Sequence, residues 1–126
     1  MLSAFQESFR LAPETGCRVL LNKNAAFPWL LVVPEDGVED LHELTPDRFA
    51  EVTGLVRSVS EFVANYFRGE KLNVACIGNI VRQMHIHVVS RSATDPAWPG
   101  TVWGHPARKN YDDAVVEAIR CAYVNR

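Results

Sequence analysis

"RQMHIHVVSR", residues 82–91, places two of the chain's four histidines two positions apart in a short apolar run bounded by arginines. A run of this length with β-branched residues reads as a strand, and the spacing predicts that strand over residues 83–91. Side chains alternate faces along a strand. Met84, Ile86 and Val88 therefore share one apolar face, and Gln83, His85, His87 and Val89 share the other. The second face sets one amide and two imidazoles in a row, with about 6.6 Å between residues two apart. That step is comparable to the span of a phosphate group with its neighbouring oxygens.

Working outward, "KLNVACIG" (71–78) alternates Leu72, Val74 and Cys76 against Asn73, Ala75 and Ile77, as a half-buried strand does. Gly78-Asn79 then signals a turn. "CRVLLN" (17–22) and "WLLVVP" (29–34) read as two strands joined by "KNAAFP", and Pro34, which cannot donate to a sheet ladder, marks the exit. Thr45 as N-cap, Pro46 at the first helical position and Asp47 beside the positive helix end open a long helix. Phe49, Val52, Val56, Val59, Val63 and Tyr66 continue it at helical steps, with Phe62 and Phe67 alongside and Gly69 as the stop. Leu2, Phe5, Phe9 and Ala12 predict a short N-terminal helix before "PETG". At the other end, Asn110 caps a terminal helix carrying Tyr111, Val115, Ala118, Ile119 and Ala122 on one face. "SATDPAWPGTVWGHPARKN" (92–110) is a long Pro/Gly/Trp loop, a kind that is usually functional or mobile in small domains. The expected architecture is α+β over residues 1–126 as one domain: a mainly antiparallel sheet of about five strands with a long helix and a C-terminal helix packed on it.

Composition narrows the function classes. A formal charge of −2 supplies no bulk attraction to nucleic acid or anionic membrane, so phosphate binding would have to be local. No apolar run approaches the roughly 20 residues of a membrane span, and "MLSAFQESFRLAPETG" lacks the apolar block of a secretion signal. Cys17, Cys76 and Cys121 are odd in number and widely separated. They predict reduced, buried thiols in a cytoplasmic protein, not a disulfide framework, and no CxxC offers a thiolate zinc site.

On spacing alone the histidine pair supports three readings. The imidazoles are satisfied polar residues on a partly exposed face; or HxH chelates a metal, with His42, His105 or a carboxylate as third ligand; or one neutral imidazole attacks phosphorus while the other donates to phosphate oxygens. In the last reading the nucleophile's second ring nitrogen can be held by a backbone carbonyl.

The surrounding residues add a resemblance. "LNVACIGNIVRQMHIHVVSR" resembles the histidine-triad superfamily of nucleotide hydrolases and transferases, whose motif is His-φ-His-φ-His-φ-φ; here it runs Gln83-Met84-His85-Ile86-His87-Val88-Val89. "RVLLNKNAAFPWLLVVPEDGVEDLHELTP" looks like the same family's early hairpin and helix start, and "DPAWPGTVWG" is similar to a bacterial branch of it, so the likeness spans residues 17–104. It implies a domain like those of diadenosine tetraphosphate hydrolases. His85 would be the nucleophile at the α-phosphate of a purine nucleotide, and His87 a hydrogen-bond partner of phosphate oxygens. No metal or other cofactor is implied, and the partner is a second copy in a homodimer. Gln83 departs from the pattern, standing where the family usually has His, and an amide takes up no proton at neutral pH, so a nucleotide-binding protein with weak or absent catalysis is the alternative reading. Gly78-Asn79-Ile80 occupies the place of the family's Gly-Gln-Ser/Thr run, so Asn79 is a candidate phosphate contact. Asn22 and Asn24 lie where related proteins hold the ribose, and turn chemistry accounts for both residues equally. Trp98 and Trp103 are candidates to cover the base, close a dimer edge or anchor the loop. Arg82 and Arg91 are candidate phosphate attractors, although solvated charge is the commoner fate of such residues.

Overall fold

The computed structural model describes residues 8–126. Five strands form one antiparallel sheet in the order β1-β2-β3-β5-β4: β1 Phe9–Glu14, β2 Cys17–Leu21, β3 Trp29–Pro34, β4 Lys71–Cys76 and β5 Ile86–Arg91. Helix α1, Pro46–Phe67, links β3 to β4, and helix α2, Asp113–Val124, closes the chain. Both helices lie on the same face of the sheet. Val52, Leu55, Val59, Phe62 and Val63 of α1 and Val116, Ile119 and Tyr123 of α2 bury against Val19, Leu21, Leu30, Val32, Met84, Ile86 and Val88. Phe62 and Tyr123 meet edge-to-face across the helix pair, 5.1 Å between centroids.

The start of α1 follows the capping chemistry of its sequence. Thr45 Oγ1 accepts from the Arg48 backbone N–H at 3.2 Å, and Pro46 occupies the first turn, where no donor is needed. Arg48 then reaches back to the tip of the β1–β2 hairpin, donating to the carbonyls of Thr15 and Gly16 and pairing with Asp36 at 2.8 Å. The tip itself needs two positive-φ residues, Thr15 (52°) and Gly16 (67°), as a two-residue hairpin turn does.

Several expectations change here. The helical reading of Phe9 and Ala12 is replaced by strand β1; Leu2 and Phe5 of that expected helix lie outside the described residues. The reason is a β-bulge between Arg10 and Ala12, which breaks the period of two and brings Phe9, Leu11 and Ala12 all toward the helix-covered core. Helix α1 ends on Arg68, itself in the left-handed region at φ 57°, and not on a left-handed Gly69. Gly69 has a different function: a Cβ there would stand 2.2 Å from Ser90 Oγ and 2.7 Å from the Arg91 carbonyl, so only glycine lets the chain pass β5. The N-cap position of helix α2 is Asp112 and not Asn110, and its buried stripe is Val116, Ile119 and Tyr123; Val115 and Ala118 face outward. Of the cysteines only Cys17 is buried. Cys76 is exposed on edge strand β4, and Cys121 on the outward side of α2.

The largest departure concerns β5. It begins at Ile86, so Gln83, Met84 and His85 precede the ladder, and all six of its residues are buried. A second apolar cluster covers the histidine face: Leu20, Phe27, Trp29, Leu31, Val33, Val89 and Val102, with Trp103 packed against it. The 92–110 loop supplies Val102 and Trp103 and so acts as a cover for that face. Among the described residues, no helix is long and apolar enough to cross a membrane.

Candidate active site

The alternation inferred for the histidine segment holds in space. Met84, Ile86 and Val88 enter the helix-side core, and His85 and His87 lie together on the opposite side, ring centroids 4.8 Å apart. Gln83, His85 and His87 are 7%, 7% and 6% exposed, which sets aside the solvated-face reading of the pair. Buried imidazoles need partners, and the partners found here determine which nitrogen carries each proton.

His85 Nδ1 sits 2.7 Å from the Gln83 carbonyl oxygen. A carbonyl only accepts, so Nδ1 carries the proton and the lone pair belongs to Nε2. This contact spans two residues, and it forms because residues 83–85 leave the regular ladder. His87 has the opposite arrangement. Trp29 Nε1, which can only donate, lies 3.0 Å from His87 Nδ1; Nδ1 is the acceptor, and the proton of the neutral ring is on Nε2. That Nε2 is buried, and among the described residues no acceptor meets it at full hydrogen-bonding geometry. Burial is the main reason the His87 ring titrates far below the usual imidazole range, at about 4, with His85 pushing the same way. The Ile77 backbone, approaching the ring at the margin of hydrogen-bonding geometry, opposes the shift. Protonating Nδ1 would also set an N–H against the indole N–H. His87 is therefore a neutral hydrogen-bond donor near pH 7 and not an imidazolium acid.

Gln83 Nε2 faces the Pro34 carbonyl at 3.5 Å, and its Oε1 is buried without a donor. The first position of the motif thus offers an acceptor. Trp103 packs edge-on against both His87 (5.3 Å) and Trp29 (6.0 Å), and its Nε1–H is a second buried donor without an acceptor. Two such donors in one aromatic cluster suit an anionic oxygen.

A cavity of about 500 Å³ adjoins this cluster, sharing Trp29 and Trp103 with it and bordered by Asn22, Lys23, Arg108 and Lys109. Asn24 also borders it, but its carboxamide works as a clasp: Nδ2 donates to the Ala107 carbonyl (3.0 Å), and Oδ1 accepts from Ala26 and Lys109 N–H groups (3.1 Å each). Asn22 Oδ1 accepts from the Asn24 N–H at 2.9 Å. Asn79 is not brought to this cavity. It is exposed beside Glu39, Asp40 and Arg82, in a separate recess of about 310 Å³. Arg82 pairs with Glu39 at 2.7 Å on the surface. His42 is exposed, and His105 accepts from the Ala107 N–H through Nδ1. Among the described residues, no three His, Cys, Asp or Glu side chains converge as a metal site would require.

One residue of this cluster carries no site signal in the sequence: Trp29 reads there only as the first residue of a strand. Arg91 reads as a phosphate attractor or a solvated charge, and the structure gives it neither place. Arg91, two alternations beyond His87 on the same face, is 2% exposed instead of solvated. It pairs with Asp95 through Nε at 2.7 Å and Nη2 at 3.1 Å, and donates to Asn73 Oδ1 (2.8 Å) and the Gly100 carbonyl (2.7 Å). Phe27 and Trp98 flank its guanidinium at 5.9 and 5.7 Å. Trp98 is thus part of the loop anchor. Continuing the period of two from Gln83 through His85 and His87 identifies Arg91 as inward-facing, and Asp95 stands four residues on.

A family model described as the HIT domain matches residues 5–94. Among solved structures, a histidine triad protein from Bradyrhizobium japonicum superposes with a TM-score of 0.93 at 28% identity, covering 99% of this chain and 94% of its own. A histidine triad (HIT) protein from Sinorhizobium meliloti 1021 gives 0.91 at 29% identity (98% and 91% covered), and one from Marinobacter aquaeolei VT8 gives 0.88 at 32% (96% and 88%).

The Arg91–Asp95 pair generates a stability prediction. Hydrogen bonding to Arg91, first among its causes, holds the Asp95 carboxyl at about 2, below the usual 3.8. A depressed carboxylate contributes stability above its unfolded value and loses it as pH falls toward the folded one. Asp95→Asn should therefore lower unfolding stability at pH 7 by about 2–3 kcal/mol. The gap to wild type should narrow as pH drops from about 4 to 2, and urea denaturation across that range measures it. A gap that stays constant from pH 4 to 2 would contradict the assignment.

Proposed function

We propose, from the premise that the chain belongs to the HIT family of histidine-triad proteins, that it hydrolyses or transfers at the α-phosphate of purine nucleotide conjugates through a nucleotidyl-histidine intermediate. Members of this family are typically nucleotide hydrolases or transferases. The observation that carries the reading is the complementary protonation of two buried, adjacent imidazoles: a lone pair on His85 Nε2 and a proton on His87 Nε2.

In this mechanism His85 Nε2 attacks the α-phosphorus. A P–N bond forms as the bond to the leaving group breaks, and the leaving group departs with the electron pair. The imidazole becomes cationic, and the Gln83 carbonyl on Nδ1–H stabilises that charge as it develops. His87 Nε2–H and Trp103 Nε1–H supply donors for the phosphoryl oxygens. Water then cleaves the P–N bond and restores neutral His85. Gln83 Oε1 accepts from the attacking water or from a protonated leaving group. The adjoining cavity takes the nucleotide, with Asn22 toward the ribose and Asn24 acting through the loop it clasps. Asn79, in its separate recess, would reach phosphate only through a substrate that extends beyond the cavity. Lys23, Arg108 and Lys109 at the rim favour polyanionic conjugates, such as dinucleoside polyphosphates including diadenosine tetraphosphate, or nucleoside phosphoramidates.

A panel of adenosine and guanosine conjugates tests the chemistry. His85→Ala should abolish turnover and the trapped nucleotidyl-protein while circular dichroism stays that of the wild type. A folded His85→Ala protein with normal turnover would overturn the mechanism. On the same panel Gln83→Ala should slow turnover about ten- to a hundredfold, as the loss of an orienting hydrogen bond worth about 1.5–3 kcal/mol implies. An unchanged rate would reduce Gln83 to packing.

The same reading includes a homodimer. Strand β4 is an edge of the sheet, and Val74 on it is 49% exposed, so a second copy is the natural cover for this edge. Light scattering at assay concentration should give twice the 14.1 kDa chain mass, and a monomeric mass would count against it.

A further inference from the structure

We propose that Trp29 is the positioning residue that fixes His87 as an Nε2–H donor: its indole N–H holds His87 Nδ1 as an acceptor and leaves the ring proton no other nitrogen. This rests on the proposed function only for its consequence in catalysis; the tautomer itself is a property of the resting protein.

The argument is one of donor inventory. Neutral imidazole has one N–H and one acceptor nitrogen, in either of two tautomers. Without a directing partner both are accessible, and only one presents a proton on Nε2. Indole has a single N–H and no acceptor, so a Trp–His hydrogen bond has only one possible sense. A hydroxyl or an amide at the same place could serve either tautomer. At 3.0 Å and buried, this bond is little diluted by water.

The fold holds Trp29 rigidly for that task. It is the first residue of β3 and pairs with Val89, while its strand neighbour Leu31 pairs with His87, so the indole reaches His87 along the diagonal of one sheet face. Its backbone carbonyl closes the β2–β3 connection by accepting from the Asn22 N–H at 2.8 Å. Phe27 and Trp103 pack edge-on against its ring at 6.5 and 6.0 Å, and the side chain is 9% exposed. Rotating the indole away would break that packing and leave two buried nitrogens unpaired, His87 Nδ1 and Trp29 Nε1.

The consequence is a division of labour within one dipeptide step. The Gln83 carbonyl and the Trp29 indole select opposite tautomers at His85 and His87. One ring becomes the nucleophile, and its neighbour, through the same ring atom, becomes the donor. Two identical residues are made chemically different by one acceptor and one donor placed beneath them.

The test is nitrogen NMR of the histidine rings in the substrate-free protein at neutral pH. Wild type should show His87 with pyridine-like Nδ1 and pyrrole-like Nε2, and His85 with the reverse. Trp29→Phe keeps the aromatic packing and removes the N–H; His87 should then populate the Nδ1–H tautomer, with kcat falling about tenfold and KM changing less. A second measurement needs no variant: a coupling through the hydrogen bond between Trp29 Nε1 and His87 Nδ1 in the wild type. Its absence, an Nδ1–H tautomer in the wild type, or an unchanged Nε2–H tautomer in folded Trp29→Phe would overturn the proposal. If the tautomers are as described and no nucleotide conjugate is turned over, the proposed activity fails while the assignment of Trp29 stands.

Discussion

Strand β5 is buried on both faces, and the rest of the structure answers to that constraint. On the helix side the requirement is simple, because Met84, Ile86 and Val88 are apolar and α1 lies over them. On the other side β5 and the residues before it carry Gln83, His85, His87 and Arg91, each of which is buried from water in the folded chain. Desolvating such groups costs several kcal/mol unless hydrogen bonds replace the lost water. A carbonyl answers His85, an indole answers His87, and a carboxylate with two oxygen acceptors answers Arg91. Among the described residues of this face, the atoms left without a full hydrogen bond are His87 Nε2 and Gln83 Oε1, with Trp103 Nε1 beside them.

That pattern separates a structural polar cluster from the one proposed to react. Arg91 shows the structural case: each nitrogen of its guanidinium donates to an oxygen, and the result is a loop fastened to the sheet. The histidines show the other case. Each ring has one nitrogen assigned by the protein, and the assignment determines what the remaining nitrogen can do. The low titration point of His87 follows from the same burial, so the environment that makes the ring a donor also keeps it neutral. Loop, sheet face and protonation are thus one arrangement, in which the Arg91–Asp95 pair and the Asn24 clasp maintain the enclosure that gives the imidazoles their character.

Much of this was legible in the order of residues. Alternation along 83–91 sorted the apolar face from the histidine face, because a strand allows no other division, and it would have sorted Arg91 correctly had it been carried four residues past His87. Capping chemistry at Thr45-Pro46 located the start of α1 for a local reason that tertiary contacts did not alter. The Phe9–Ala12 segment misled because a bulge inserts one residue into the strand, and three inward side chains in four positions imitate a helical turn. Gly69 was read as a helix stop although its hydrogen atom is required by Ser90 and Arg91, residues more than twenty positions away.

The sequence by itself determined the α+β layering, the long helix, the likeness to histidine-triad proteins and the pairing of His85 with His87, since these depend on periodicity and on spacing within short segments. It could not determine which ring nitrogen holds a proton, because that depends on partners remote in the chain. Trp29 lies 58 residues before His87 and reaches it only through the pairing of β3 with β5. Nor could it show that Asn24 is used as a clasp 83 residues from the loop carbonyl it binds, or that Arg91 is an anchor. Backbone periodicity is a local property that side-chain order records directly. The hydrogen bonds that give each buried polar group its role exist only once the sheet has brought distant segments together.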